Sequence, residues 1–163
     1  MENVIIENAR VLGGSFRNFA GKESQFNAKG SRNFVIGLDP EKGHELQNLG
    51  WPVRWSPDKY SDDGEMRATL KVNVKYTTRD GRKLIPPKVV VMSSRGKVNY
   101  DEDMISMLDT MDIAKCDVIL SPYEYKTMGR EGVSAYLKTM YVTMAEDALD
   151  LKYNEPADEE TPW

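Results

Sequence analysis

Alternation of apolar and polar positions sets the first expectation. Leu70, Val72, Val74 and Tyr76 alternate with Lys71, Asn73 and Lys75, a period of two that predicts a half-buried strand with a cationic outer face. The Asp80-Gly81 pair within Thr78–Arg82 suits a two-residue hairpin turn. The return strand is expected over Lys88–Ser93, its entry marked by Pro86-Pro87, which cannot sit in a central ladder. Further strands are expected over Val4–Leu12, Arg32–Leu38, Pro52–Trp55, Lys115–Lys126 and Gly132–Met144, the last two joined by a longer hairpin loop over Thr127–Glu131.

Helical spacing is confined to short stretches. Asp39-Pro40-Glu41 is a start signal, with a capping Asp and Pro at the first helical position, and Gly50 is a stop. Asp101-Glu102-Asp103 is expected to open a second helix, in which Met104, Met107, Leu108 and Met111 keep helical spacing. Thr143-Met144-Ala145-Glu146 matches a capping box for a third, running to about Tyr153. Many strands with few helices between them predict a mainly β chain, a barrel or sandwich with short helical insertions.

Composition narrows the chemistry. With 163 residues the chain has the length of one domain, large enough to bury a core without covalent staples. Its longest apolar run is about Val89–Met92, so nothing is expected to span a bilayer. Met1–Val4 lacks the basic and apolar regions of a secretory signal, so a cytoplasmic location is expected. The single cysteine, Cys116, excludes an internal disulfide and a multi-thiolate metal site, and is expected to be a buried structural thiol. The single histidine, His44, falls in a surface helix and excludes zinc sites that need two imidazoles. Asp101, Glu102, Asp103, Asp109 and Asp112 are acids that a Mg²⁺-dependent nuclease would use. Acids are favoured in a first helical turn by the dipole alone, and no Lys or His base accompanies them at a telling spacing. No enzyme, cofactor or metal is therefore expected.

The net charge of −4 conceals a segregation. Residues 67–97 hold nine basic groups against Asp80, a local +8, whereas residues 146–163 hold seven acids against Lys152, a local −6. That asymmetry is the pattern of a polyanion-binding body with an acidic tail. All four phenylalanines fall between Gly13 and Phe34, interleaved with Arg17, Lys22, Lys29 and Arg32 in a stretch too rich in Gly, Ser and Asn for one regular element. Rings for base stacking beside cations for the backbone are what single-stranded nucleic acid requires. Phe34, inside a strand, is expected in the core. Trp51, Val53 and Trp55 would share one strand face, more in keeping with core than with a stacking platform. Tyr123, Tyr125, Tyr136 and Tyr141 are not divided between core and surface by the pattern alone. The terminal run Asp158-Glu159-Glu160-Thr161-Pro162-Trp163 should be disordered, and an aromatic residue bearing the terminal carboxylate behind an acidic run makes a hook for a partner's basic pocket.

Two parts of this pattern resemble known families. Asp158–Trp163 is similar to the acidic, aromatic-ended tip of bacterial single-stranded DNA-binding proteins. Phe16-Arg17-Asn18-Phe19-Ala20-Gly21-Lys22, Arg32-Asn33-Phe34, Leu49-Gly50-Trp51-Pro52-Val53 and Ala135–Tyr141 resemble the OB-fold single-stranded DNA-binding proteins of tailed bacteriophages. Only about four residues separate the last expected helix from Asp158, where the housekeeping bacterial proteins carry a long linker, so the phage type is favoured. The resemblance implies an OB-fold-like barrel over residues 1–153, a flexible acidic tail over 154–163, and sequence-independent coating of single-stranded DNA in replication, recombination or repair. It also implies that Asp158, Glu159, Glu160, Thr161, Pro162 and Trp163 recruit replication or recombination proteins, and it leaves a homodimer open. The DNA contacts are expected from Phe16, Arg17, Phe19, Lys22, Phe26, Arg32, Lys71, Lys75, Arg79, Arg82, Lys83 and Lys88. The alternative is a protein-interaction module, a phage modulator of a host factor acting through its acidic C-terminus.

Overall fold

The computed structural model describes residues 1–57 and 65–153. Among these described residues, nine strands, two short α-helices and two 3₁₀ turns follow one another. β1 (Val4–Val11), β3 (Arg32–Leu38), β5 (Met66–Val74), β8 (Ile113–Thr127) and β9 (Arg130–Met144) form a closed ring. Within it β3 pairs antiparallel with β1 and β5, β8 pairs antiparallel with β1 and β9, and β5 closes the circle by parallel pairing with β9 at Val72↔Ala135 and Asn73↔Tyr136. Five strands in that order, with that one parallel contact, make a ring consistent with the OB-like fold expected above. A bulge lies between Ile6 and Ala9, with Asn8 at φ 56°; β1 pairs with β8 on both sides of it, at Val4, Ile5, Ile6 and Ala9, and with β3 at Arg10 and Val11.

Alternation fills the interior. Phe34 and Ile36 of β3, Leu70, Val72 and Val74 of β5, Val118 and Leu120 of β8, and Ala135, Leu137, Met140 and Val142 of β9 are buried together. α1 (Pro40–Asn48) starts where expected, the Asp39 carboxylate accepting the Lys42 amide at 2.7 Å, and Leu46 and Trp51 anchor it to the core. Cys116 is buried, and burial pushes its thiol pKa up to about 12. His44 is exposed on α1, its ring 4.4 Å from that of Trp55.

Several expectations are corrected. Asp80-Gly81 does not join β5 to β6 (Lys88–Ser93) as a hairpin. Both strands run parallel to β9 and meet the same edge of it, β5 at Ala135–Tyr136 and β6 at Thr139–Thr143, so they point the same way and cannot pair antiparallel. Thr78–Arg82 forms a local turn instead, with Thr77 bridged to Lys83. β6 finds its hairpin partner in β7 (Gly96–Asn99), a strand too polar to register as one by pattern. The strand expected over Pro52–Trp55 runs over Arg54–Pro57 as β4, beside β5.

The expected second helix is a 3₁₀ turn, Ile105–Asp109, in which Ile105 and Leu108, three residues apart, face the core while Met107 is exposed. The third helix does not begin at Thr143. β9 continues to Met144, Glu146 accepts the Ser94 amide, and α2 (Ala148–Tyr153) starts at a reciprocal pair in which Asp147 and Asp150 each accept the other's amide. The β8–β9 hairpin is tighter than expected. Thr127 pairs with Arg130, and Met128 and Gly129 adopt φ 51° and 79°, the left-handed pair of a two-residue turn. The expected acidic tail, residues 154–163, lies outside the described residues.

Candidate nucleic-acid interface

The twelve residues expected to contact DNA divide sharply. Phe19 is fully buried, its ring centroid 4.6 Å from that of Phe34, so it has no free face for a base; it is a core residue, because a strand-flanking phenylalanine gains more by burial than by exposure. The Arg17 guanidinium is likewise committed. It donates to the carbonyls of Val11, Leu12, Leu108 and Met111, pinning the start of the loop to the 3₁₀ turn with four of its five N–H donors. Burial pulls its pKa down against the opposing pull of Asp109 and Asp112. The Asp109 carboxylate accepts the Phe19 and Ala20 amides from the same turn. These two expected contacts are thus the anchors of the loop.

The rest of the loop is stitched by asparagines. Asn18 exchanges two hydrogen bonds with the Lys22 backbone, Asn27 donates to the carbonyls of Lys22, Ala28 and Ser31, and Asn33 donates to Asn27. Gly21, at φ 69°, approaches Gly30 so closely that a Cβ would lie 3.0 Å from the Gly30 carbonyl carbon. A bridge between Ser24 and Asn27 leaves Phe26 at the tip, 92% exposed, with Lys22 and Lys29 also exposed. Phe16, in the 3₁₀ turn Gly14–Phe16, is exposed as well.

Strand parity brings the other cations to one face. Lys71, Asn73 and Lys75 point outward from β5 and just beyond its end, and the register sets Asn73 beside Asn33 of β3 on one side and Tyr136 of β9 on the other. The Lys75 ammonium lies 5.1 Å from the centre of the Tyr136 ring, and Tyr123 of β8 meets Tyr136 edge-on at 5.8 Å. Tyr125 lies over Gly132, where any Cβ would collide with it. Three tyrosines that the sequence pattern left unassigned therefore extend the cationic face. Ala135 and Leu137 are buried on either side of Tyr136, and that alternation was the available signal.

A groove of about 630 Å³ runs between the loop and the turn after β5, lined by Lys29, Arg32, Asn73, Lys75, Arg79 and Tyr136 among others. Of the expected contacts it gathers Arg32, Lys75 and Arg79; Phe16, Lys22, Phe26, Lys71 and Arg82 do not line it. Arg32 is partly engaged, donating to the Phe19 carbonyl at 2.7 Å and lying 3.9 Å from Glu102. Arg82 is paired with Asp80 at 2.9 Å. Lys83 and Lys88 line a neighbouring cleft, and Lys88 sits 5.4 Å from the Tyr141 ring, holding the phenol below its ordinary pKa by hydrogen bond and charge. Lys22, Lys29, Lys71, Arg79 and Lys83 have no carboxylate within ion-pair distance among the described residues.

Residues 1–161 match the family described as "Putative phage ssDNA-binding domain". The chain belongs to that phage single-stranded-DNA-binding family. It is accordingly a single-stranded-DNA-binding protein and not an enzyme. Solved structures agree on the fold. The single-stranded DNA-binding protein from bacteriophage Enc34, in a C-terminal truncation, is 9% identical with a TM-score of 0.53, over 90% of this chain and 88% of that one. The same phage protein in complex with ssDNA is 8% identical with a TM-score of 0.54, over 90% and 88%. Its untruncated form is 8% identical with a TM-score of 0.52, over 99% and 87%. No curated protein matches the sequence. Among the described residues no helix is long and apolar enough to cross a membrane, and no cluster of His, Cys, Asp and Glu is arranged to hold a metal ion.

Proposed function

We propose that single-stranded DNA crosses the outward face of β3, β5 and β9, between the Leu12–Ser31 loop and the Thr77–Lys83 turn, and that the protein coats such strands in phage replication, recombination or repair. The observation that carries this reading is Tyr136 with Lys75 above it, at the centre of the cationic face and in the wall of the groove. Bases stack on Tyr136, Tyr123, Tyr125 and the loop-tip Phe26, with Phe16 a further exposed ring. Phosphates are met by Lys22, Arg32, Lys71, Lys75, Arg79, Arg82, Lys83 and Lys88. Stacking accepts every base, so the binding is sequence-independent along most of the strand. The acidic Asp158–Trp163 segment recruits replication or recombination proteins, an interaction its charge and terminal aromatic ring favour.

Titration of a labelled oligo-dT across a salt series tests this. Affinity should fall with a log–log slope of about −0.7 per phosphate contacted. Tyr136→Ala should weaken binding by ~1–3 kcal/mol at fixed salt. Removal of Asp158–Trp163 should leave DNA binding intact or stronger while abolishing recruitment. Salt-independent binding, or a preference for duplex, overturns the reading.

A further inference from the structure

We propose that a second recess, beside the groove, is a nucleobase pocket selective for bases that carry an exocyclic amino group; this rests on the strand placement above. The recess has a volume of about 700 Å³, within the ~300–1,000 Å³ of small-ligand sites. Its walls are apolar and ring-rich: Tyr76, Leu84, Pro86, Pro87, Val89 and Tyr100. Such walls take the flat face of a base, and Lys83 and Lys88 in the same lining stand where they can meet the phosphates that flank it. Tyr76, Thr77 and Glu102 line both the recess and the groove, so a strand seated in the groove can turn one nucleotide into the recess without leaving its track.

The polar groups of the recess give it a preference. Asp101 and Glu102 belong to its lining. The Asp101 carboxylate is held in place because one oxygen accepts the Asp103 and Met104 amides, both at 3.0 Å, leaving the second oxygen as an acceptor. Ionised carboxylates accept only, so they favour the amino groups of cytosine, adenine and guanine, and a carboxylate opposite the cytosine amino group is an established pairing. Thymine presents a carbonyl there and gains nothing from a carboxylate. The Tyr76 hydroxyl, in the same lining, is buried without a hydrogen-bond partner, a polar atom that a base edge can satisfy.

Cytosine and thymine are the discriminating pair, being alike in ring size. Fluorescence anisotropy would compare an oligo-dT of about 12 nucleotides, within the ~4–16 covered by one OB fold, with the same oligomer carrying a single dC at each position in turn. One or two positions should bind about 5-fold tighter with dC, well within the discrimination one base contact supplies. D101N and E102Q should each reduce that dC-to-dT ratio, and together abolish it, while affinity for oligo-dT itself holds or rises because negative charge has been removed. Asn caps the same amides as Asp, so the turn is retained in D101N. Equal affinity for dC and dT at every position, or a ratio unchanged in the double variant, overturns the pocket. Failure of oligo-dT to bind at all would instead overturn the strand placement, since the ratio and the parent affinity are read separately.

Discussion

Phe19→Ala and Phe26→Ala, two substitutions seven residues apart in one loop, should fail in opposite ways. Phe19 is fully buried and stacked on Phe34 at 4.6 Å and 23°. Truncating a buried phenylalanine costs ~3–5 kcal/mol. That is a large share of the ~5–15 kcal/mol that stabilises a typical domain. For a chain of this length each kcal/mol lowers Tm by ~2–4 °C, so a drop of about 10 °C is expected. Phe26 is 92% exposed and its neighbours are held by Asn27, so its removal should alter stability by less than ~0.5 kcal/mol. It should instead cost the ~1–3 kcal/mol of one stacked base, roughly a 5- to 150-fold loss of oligo-dT affinity. Thermal melting by circular dichroism and anisotropy titration at one salt concentration, on both variants at a temperature where both are folded, separate the outcomes. A Phe19→Ala protein that melts like the wild type but binds weakly would refute the assignment of Phe19 to the core.

Three further outcomes follow from the packing and the electrostatics. A Cβ at Gly43 would lie 2.6 Å from that of Ala68, so Gly43→Ala should destabilise by up to ~2 kcal/mol, the ~1–3 kcal/mol of overpacking being offset in part by the ~1 kcal/mol gained in helix propensity; adding Ala68→Gly should relieve that contact and restore part of the loss in a denaturant melt. Cys116, buried and with its pKa raised to about 12, should resist a thiol reagent at mildly alkaline pH until the protein is unfolded. Tyr141 should ionise earlier than an ordinary tyrosine, and Lys88→Met should move it back up in an ultraviolet titration. A lowered pKa favours the folded state only as the phenol ionises; at neutral pH it is protonated folded and unfolded alike, so the substitution should leave neutral-pH stability nearly unchanged through this route.

The limits of pattern reading show at particular elements. The hairpin expected at Asp80-Gly81 used a sound local signal, and the turn is there. What the chain does next is decided by β9, some fifty residues later, which takes β5 and β6 end to end along one edge. The capping box at Thr143 matched a helix start, yet pairing with β6 and β8 keeps Thr143 in a strand. In both places a non-local ladder outweighs a local preference of about 1 kcal/mol.

The sequence by itself determined the strand-rich class, most strand positions, the first helix with its Asp39 cap, and the opposition of a cationic body to an acidic end. These are properties of period and composition, which survive without knowledge of neighbours. It also determined that Lys71, Asn73 and Lys75 share a face, because parity within a strand is local. Only the tertiary structure decided that Phe19 and Arg17 are anchors, since a loop ring is stacking or core according to what lies beneath it, and a guanidinium binds whichever acceptors reach it first. It alone joined that face of β5 to Tyr136, Tyr123 and Tyr125, because closure of the ring brings together residues some sixty positions apart.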